Sequence, residues 1–288
     1  MRLGTCLPTD EAAQVAGVFD IRKAAAALAA AGIRGCLTNF GNEPAAWERS
    51  TQELGRALAD AGVTLLEYNM PFFLQTESRD GSATDADRTV RLLELAESIG
   101  CLSVGTCVNG PNGIHGHPDA RNPRRRAVLV ETCRRVADGA ARRGLRARLC
   151  LELVYTTVTW SPRVLAELVD EIGSPNVQGH MDLVNCLTFD NLFDHAQFCR
   201  DAFATLAGRF HSAHLKGVGP AESYLAGLAE LHVDQGCFDL RTYLQCLRAL
   251  PPTFPAIIEH LATLTDIVRS YQHVKKMADE LRIPTWAE

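Results

Sequence analysis

The feature that most constrains this chain is a regular alternation of short apolar segments with longer amphipathic segments, repeated eight times along its 288 residues. Short apolar runs are typical of buried strands, and apolar residues spaced three and four apart are typical of helices that bury one face. A strand–helix alternation of this kind favours a parallel sheet covered by helices. Two layouts satisfy it, a closed (β/α)8 barrel and an open doubly wound sheet.

Turn and cap residues set the approximate bounds of these segments. Ser161 is a candidate N-cap with Pro162 at the first helical position. The polar segment Leu74–Ala86 is interpreted as a long exposed loop. The predicted strands are Leu3–Cys6, Ile33–Leu37, Thr64–Tyr68, Leu102–Thr106, Arg148–Leu153, Val177–Asp182, Phe210–Lys216 and Ala256–His260. The predicted helices are Ile21–Ala31, Pro44–Ala61, Asp85–Ile99, Pro123–Arg143, Pro162–Ile172, Asn191–Ala207, Asp239–Ala249 and Leu264–Leu281.

The segment after the first strand favours the barrel. An open sheet that binds a nucleotide usually has a glycine-rich turn after an early strand, and "GTCLPTD" is not such a turn. A chain of 288 residues is long enough for one barrel and does not require a second domain. The sequence therefore predicts an α/β protein with a (β/α)8 TIM barrel fold, as a single domain over residues 1–288.

Charge, hydropathy and cysteine usage narrow the class of protein. The net charge of −5 argues against a nucleic-acid partner, and the basic runs at 124–126 and 134–135 fit a solvated helix face. The sequence has no apolar run of about 18 residues that could span a membrane, and the N-terminus lacks the apolar core of a signal peptide. Ten cysteines without a CxxC pair are typical of reduced thiols. We expect a cytoplasmic protein with a small-molecule partner, and homo-oligomerisation is left open.

Four of the later predicted strands end in a candidate metal ligand. Chemistry in such a barrel is located at the carboxyl ends of the strands. Because side chains alternate along a strand, Glu152 faces the barrel axis when the leucines beside it face the helices. The same alternation places Asp182, His214 and Glu259 on the inner face, late in their strands. Three carboxylates in one pocket would repel each other and take up protons unless a cation or Lys216 balanced their charge.

The segment "RFHSAHLKGVGP" contains two histidines that cannot both point into this site, because residues three apart in a strand face opposite sides. His214 lies as late in its strand as the carboxylates do, whereas His211 lies deeper. We therefore assign His214 as the ligand and expect His211 in the layer between barrel and helices. His180, below Asp182, is interpreted as a residue that supports the ligands.

The residue types indicate which metal the site would prefer. Two glutamates, an aspartate and a histidine form an oxygen-rich set that differs from a structural zinc site. The set suits Mn²⁺ best, and Mg²⁺, Co²⁺ or Zn²⁺ could also bind. The alternative is that each of the four is an ordinary buried polar residue.

Several blocks of the sequence resemble the xylose isomerase-like TIM barrels, the sugar phosphate isomerase/epimerase superfamily. These blocks are "LCLELVYTTVTWSPRVLAELV", "SPNVQGHMDLVNCLT", "RFHSAHLKGV", "LHVDQGCFDLRTYLQCL" and "IIEHL". The resemblance implies a sugar or polyol substrate and metal ligands at Glu152, Asp182, His214 and Glu259. It also implies that the two glutamates are the catalytic acid and base.

The chain departs from the ketohexose 3-epimerases of that superfamily at two places. Asn185 stands where those enzymes have a histidine, and Lys216 is not followed by their glutamate and arginine. We therefore expect weak activity on free fructose, psicose or tagatose, and better activity on a keto-acid, a keto-cyclitol or an oxidised glycoside. Lys216 could equally balance the carboxylates, and the two loop histidines could equally be surface residues. The candidate substrate contacts are Lys216, Asn185, His115, His117 and Trp160.

The predicted reaction is proton transfer next to a carbonyl, through an enediolate that the metal stabilises. Return of the proton on the other face gives an epimer, and delivery to the adjacent carbon gives an isomer. A metal-dependent lyase acting on an inosose or a 3-keto-glycoside is an alternative, because the same enediolate can expel a β-substituent. A non-catalytic sugar-binding barrel is a further alternative. An apurinic endonuclease is disfavoured because it needs more histidines and a basic groove.

Overall fold

The computed structural model describes residues 1–77, 79–109, 116–222 and 227–286. Its strands are β1 (Arg2–Cys6), β2 (Gln14–Val15), β3 (Val18–Phe19), β4 (Gly35–Asn39), β5 (Thr64–Asn69), β6 (Ser103–Thr106), β7 (Arg148–Glu152), β8 (Val177–Met181), β9 (Phe210–Leu215), β10 (Gly217–Pro220), β11 (Leu228–Leu231) and β12 (Pro255–Ile258). Its α-helices are α1 (Ile21–Ala30), α2 (Trp47–Ala61), α3 (Arg79–Ser98), α4 (Pro123–Arg142), α5 (Pro162–Ile172), α6 (Phe189–Leu192), α7 (His195–Thr205), α8 (Leu240–Leu247) and α9 (Leu264–Glu280).

Eight parallel strands form one sheet in the order β5-β4-β1-β12-β9-β8-β7-β6. The last of these strands in the chain, β12, pairs in parallel with the first, β1, so the sheet curls back on itself. Its two ends are β5 and β6, which are consecutive in the chain. The strands therefore form a nearly closed barrel with helices between them, which confirms the predicted (β/α)8 fold.

The main core lies between the barrel and the helices, as the segment around α5 illustrates. Pro162 occupies the first turn of α5, and the Ser161 hydroxyl accepts a backbone N–H from that turn. Gly173 ends the helix in the left-handed conformation, with φ of 68°. Between these caps, Leu165 and Leu168 are fully buried against the barrel. The cap residues thus fix where the chain turns back into the next strand.

Three features differ from the sequence prediction. Helix α3 begins at Arg79, six residues before the predicted start at Asp85, so the interpretation of Leu74–Ala86 as one long loop is wrong. Its first turns are polar, and no apolar spacing marks them as helical. The predicted helix Asn191–Ala207 is divided into α6 and α7. Two short antiparallel hairpins, β2–β3 and β10–β11, were not predicted.

His211 does not lie between the barrel and the helices, and that prediction is wrong. The pairing of β8 with β9 shifts between Gly179 and His180, so that two residues of β9 lie opposite one step of β8. His211 accordingly lines a cavity at the amino-terminal mouth of the barrel. There the Arg148 guanidinium lies 2.8 Å from His211 Nδ1.

The amino-terminal mouth of the barrel is covered by the end of the chain. Two guanidinium groups lie over the Trp286 ring, that of Arg2 at 5.5 Å and that of Arg34 at 5.2 Å from the ring centre. Trp286 also packs against a small cluster inside the barrel, which consists of Leu37, Leu66 and Ile257. Cation–π contacts and apolar packing thus narrow this end of the barrel to the cavity beside His211.

Candidate metal centre and active site

Four predicted ligands converge at the carboxyl-terminal mouth of the barrel. Glu152 is the last residue of β7, Asp182 directly follows β8, and Glu259 directly follows β12. His214 is the penultimate residue of β9. One ligand atom from each of the four lies within 4.8 Å of the others. Their role as metal ligands stays a prediction, but the barrel brings all four to one point.

The polar atoms of this cluster fit a divalent cation. Asp182 Oδ2, His214 Nδ1 and Glu259 Oε1 are buried, and none has a hydrogen-bond partner among the described residues. His214 Nδ1 lies 2.9 Å from Glu259 Oε2, 3.8 Å from Asp182 Oδ2 and 3.9 Å from Glu152 Oε1. Buried polar atoms without partners are costly, and a cation among them would remove that cost.

Lys216 balances part of the negative charge of the cluster. Its ammonium lies 2.7 Å from Asp182 Oδ2 and forms a second ion pair with Glu259, although the directions of these contacts are not those of hydrogen bonds. The side chain is only 1% exposed. Three carboxylates and one ammonium leave two negative charges, which a divalent cation would neutralise. Of the two roles predicted for Lys216, these contacts fit charge balance.

The same charges shift the pKa values of the cluster in opposite directions. Burial raises the pKa of Glu152, and the Glu259 carboxylate raises it further. Burial alone would raise the pKa of Glu259, but His214 and Lys216 outweigh burial and lower it. Burial would likewise lower the pKa of Lys216, but Asp182 and Glu259 hold it well above its ordinary value. Lys216 is therefore charged, and the two glutamates differ in environment.

A second layer lies directly below, centred on Glu67 of β5. Glu67 Oε1 lies 3.0 Å from His214 Nε2, and Glu67 Oε2 lies 3.0 Å from His180 Nδ1. His180 Nδ1 also contacts the Ser212 hydroxyl at 2.6 Å. With Nε2–H donated to Glu67, the neutral His214 ring would present its Nδ1 lone pair toward Glu152, Asp182 and Glu259 when a cation is bound there. His180 thus contacts Glu67, which in turn contacts His214, and its role in supporting the ligands stays a prediction.

Gly105 makes room for this second layer. A Cβ atom at residue 105 would lie 2.2 Å from Asn69 Oδ1 and 3.0 Å from Glu67 Oε1. Glycine allows the backbone of β6 to approach both side chains, which no other residue would permit without displacement. The buried carboxylate is therefore built into the packing of the barrel.

Two neighbours hold the Glu152 carboxylate in place. Asn185 Nδ2 donates to Glu152 Oε1 over 2.8 Å, and Cys107 Sγ donates to Glu152 Oε2 over 2.9 Å. The backbone N–H of Asn185 also donates to Asp182 Oδ1 over 3.3 Å. Asn185, predicted as a substrate contact, thus bridges two predicted ligands as well as lining the cleft.

His260 follows Glu259 in a strained conformation at the rim of the site. Its φ of 57° is left-handed, which is uncommon for a residue with a side chain. Its Nδ1 lies 2.5 Å from Glu230 Oε1 on β11, and the hydrogen bond to Glu230 raises the pKa of His260. The His260 side chain is 62% exposed. The imidazole is therefore oriented by the β10–β11 hairpin and open to a ligand.

The cleft above the cluster has two lobes that share a waist of four residues, which are Asn39, Asn69, Glu259 and His260. The glutamate lobe, about 330 Å³, contains Glu152, Asn185 and Phe73. The apolar lobe, about 350 Å³, extends beyond the waist toward Leu7 and Phe19. Cavities of this size accommodate small organic ligands.

Two predicted substrate contacts, His117 and Trp160, do not line the described cleft. His117 lines a separate cavity of about 300 Å³ beside Tyr155. Trp160 stacks on the Arg121 guanidinium, 4.4 Å from the ring centre. His115 lies outside the described residues. The role of all three in substrate binding stays a prediction.

Several residues of the site were not predicted from the sequence. Glu67 could have been found as the one charged residue in the apolar strand "TLLEYN". Asn39 and Asn69 end their strands, a position that commonly carries functional residues in a barrel. His260 and Cys107 carry no signal beyond their place next to a strand end. Their contacts come from segments far away in the chain.

Comparison with known proteins identifies the family. The family model of the xylose isomerase-like TIM barrels matches residues 21–278, so the chain belongs to this family. Search of the curated proteins found none that matches this sequence. Among the described residues, no helix is both long and apolar enough to cross a membrane.

Solved structures of similar fold include proteins of several activities. A xylose isomerase-like TIM barrel protein from Mycobacterium smegmatis, in complex with magnesium, has 17% identity and a TM-score of 0.70, with 97% of this chain and 96% of that chain covered. A 3-keto-D-glucoside 4-epimerase from E. coli has 14% identity and a TM-score of 0.68, with 96% and 99% covered. A probable 3-DHS dehydratase from Bacillus anthracis has 14% identity and a TM-score of 0.70, with 96% and 99% covered. At these identities the likeness shows the fold alone.

Proposed function

We propose that this protein is a divalent-metal-dependent sugar isomerase or epimerase that transfers a proton next to a carbonyl group. The observation that carries the proposal is the position of the two glutamates. In the strand order β12-β9-β8-β7, Glu259 and Glu152 flank His214 and Asp182. A substrate seated over the aspartate and histidine would have one carboxylate on each side.

Four residues would hold the cation, and the two glutamates among them would also transfer the proton. Glu152, Asp182, His214 and Glu259 would hold the cation, and a bound divalent cation would supply the Lewis acidity that makes the C–H next to a carbonyl more acidic. One glutamate takes the proton from carbon. The same or the opposite glutamate returns it, which decides between isomerisation and epimerisation. Asn185 and Cys107 fix the direction of the Glu152 carboxylate.

The donor set favours a hard cation. Three carboxylates and one imidazole suit Mn²⁺ first, and Mg²⁺, Co²⁺ and Zn²⁺ after it. The similar Mycobacterium smegmatis protein was crystallised with magnesium, which is in keeping with an oxygen-rich site.

The substrate is an uncharged keto-cyclitol or oxidised glycoside rather than a keto-acid. Lys216, which had suggested an anionic group, is buried and already paired with Asp182 and Glu259. The waist instead carries the amides of Asn39 and Asn69, which match hydroxyl groups.

A dehydratase is the second candidate, and the position of His260 favours it. The imidazole lines both lobes, and its Nε2 lies 3.6 Å from Glu259 Oε2. From there it could donate a proton to a hydroxyl that leaves the β-carbon. Analysis of the products by NMR separates the two candidates, because only the dehydratase forms a product that has lost water.

The test is deuterium exchange in D₂O with a panel of ketohexoses, keto-cyclitols and 3-keto-glycosides. Protein loaded with Mn²⁺ is compared with protein treated with a chelator. We expect deuterium to enter at a carbon next to the carbonyl in the loaded protein, with little exchange after chelation. Absence of exchange across the panel in metal-loaded protein would contradict the proposal.

A further inference from the structure

The cleft extends past the metal centre into a lobe that this chemistry does not need. The apolar lobe joins the glutamate lobe at Glu259 and His260, so one ligand could occupy both. Beyond the waist, most of its described lining is apolar and includes Leu7, Phe19, Leu37 and Leu261. Thr9 and Thr38 add two hydroxyl groups, and none of the described lining residues there is charged. A sugar ring beside Glu152 would leave this second space for another part of the molecule.

The outer wall of the apolar lobe is an exposed hairpin. Strands β2 and β3 are joined at Ala16, with φ of 50°, and Gly17, with φ of 77°. Phe19 on this hairpin lines the lobe and is 48% exposed, whereas the neighbouring Val18 is 69% exposed and does not line the lobe. An apolar group that covered Phe19 would remove apolar surface from water, which is favourable.

We propose that the substrate is a glycoside with an uncharged, apolar aglycone, and that the apolar lobe binds this aglycone. The inference rests on the proposed function and names the substrate class of the same site. The oxidised sugar ring lies in the glutamate lobe beside Glu152. The glycosidic bond crosses the waist, where Asn39 and Asn69 face the sugar hydroxyls and His260 faces the linking oxygen. Leu7, Phe19 and Leu37 then contact the aglycone.

Binding of two probes tests the aglycone site without relying on turnover. The probes are phenyl and methyl 3-keto-β-glucoside, measured by calorimetry with Mn²⁺-loaded protein. We expect about tenfold tighter binding of the phenyl compound, since an apolar pocket discriminates by roughly this factor for small apolar additions. Phe19→Ser should bring the preference close to one, and Val18→Ser, the matched control on the same hairpin, should retain it.

Each other outcome decides against the proposal. Equal affinities for the two probes, or binding of neither, would overturn the aglycone site. Loss of the preference in Val18→Ser as well, together with a change of sedimentation coefficient in both variants, would instead identify the hairpin as a contact between copies of this chain.

Deuterium exchange with the same probes separates this inference from the proposed function. A phenyl preference in binding without any metal-dependent exchange would contradict the proposed reaction and leave the aglycone site in place. Exchange at equal kcat/KM for both probes would support the reaction and overturn the aglycone site.

Discussion

The two mouths of the barrel satisfy their polar groups in opposite ways. At the amino-terminal mouth, His211 contacts Arg148, and the guanidinium groups of Arg2 and Arg34 lie over the Trp286 ring. At the carboxyl-terminal mouth, Asp182 and His214 present buried polar atoms with no hydrogen-bond partner among the described residues. Ser103 Oγ in the amino-terminal cavity also lacks a hydrogen-bond partner among the described residues, but it is a single hydroxyl. The carboxyl-terminal mouth instead brings several ionisable groups to one point, which is the arrangement expected of a ligand site.

The largest loss of activity is expected from substitution of the two glutamates at the carboxyl-terminal mouth. Glu152→Gln and Glu259→Gln each keep the shape of the side chain but cannot take a proton. We expect each to lower deuterium exchange by about 10²–10⁴-fold. The exchange rate of metal-loaded protein is the measurement, and far-UV circular dichroism checks the fold.

The matched control is Glu167→Gln, at a surface glutamate of α5 whose ion pair among the described residues is with Arg163. It should keep the wild-type rate. Near wild-type exchange in Glu152→Gln or Glu259→Gln would show that the glutamate concerned is a ligand and not a base, and the two-base scheme would fail.

An intermediate effect is expected one layer down, at Glu67. In Glu67→Gln only one terminal atom of the side chain can accept a hydrogen bond, and the negative charge that faces both His180 and His214 is lost, so the His214 ring is held less firmly. We expect Mn²⁺ affinity to fall by about 10–100-fold, the usual effect of removing a residue that orients a ligand. Calorimetric titration of chelator-treated protein at constant pH measures the effect.

Ser212→Ala tests whether the effect of Glu67→Gln acts through His214, because the contact of the Ser212 hydroxyl is with His180. It should weaken Mn²⁺ binding less than Glu67→Gln does. Equal losses in the two variants would indicate that the whole layer matters only for packing, and the specific role of Glu67 would be disproved.

The contrast between the two mouths also explains how much the sequence could predict. The convergence of four side chains could be predicted because strand alternation and depth are local properties; these are Glu152, Asp182, His214 and Glu259, whose role as ligands stays a prediction. Glu67 was missed because its partners His180 and His214 lie more than 100 residues away in the chain. Local patterns identify which face a residue lies on, but not which distant strand supplies its partner.

His211 shows where local reasoning fails even within one strand. Alternation predicts its face only if pairing with the neighbouring strand is regular, and the shift between Gly179 and His180 breaks that regularity. The predicted start of helix α3 was wrong for a different reason, since the polar first turns of the helix lack the apolar spacing on which the prediction depends. For His211, the missing information lies in the pairing of β9 with β8.

The smallest expected effect concerns the amino-terminal mouth and depends on pH. Burial, and then the charge of Arg148, lowers the pKa of His211 from 6.5 to about 4. Between these two values the unfolded chain binds more protons at this residue than the folded chain does, so stability rises with pH there. The contribution of the neutral His211 ring to the free energy of unfolding is therefore complete above pH 6.5 and is lost as the pH falls toward 4. At 1.36 kcal/mol per pKa unit, it amounts to about 3 kcal/mol at most, and to less because the ring is half-buried.

His211→Asn isolates this contribution, since it removes the titrating group and keeps a polar side chain beside Arg148. We expect urea unfolding of the variant to show a shallower loss of stability between pH 6.5 and pH 4 than the wild type shows. Thr253→Ala, at a residue that lines the same cavity without titrating, should keep the wild-type slope. Metal affinity at neutral pH should be unchanged in both variants, because the change lies at the closed mouth and the ligands lie at the open one. If His211→Asn kept the wild-type pH slope, or lowered metal affinity as Glu67→Gln is expected to, the two mouths would not be independent.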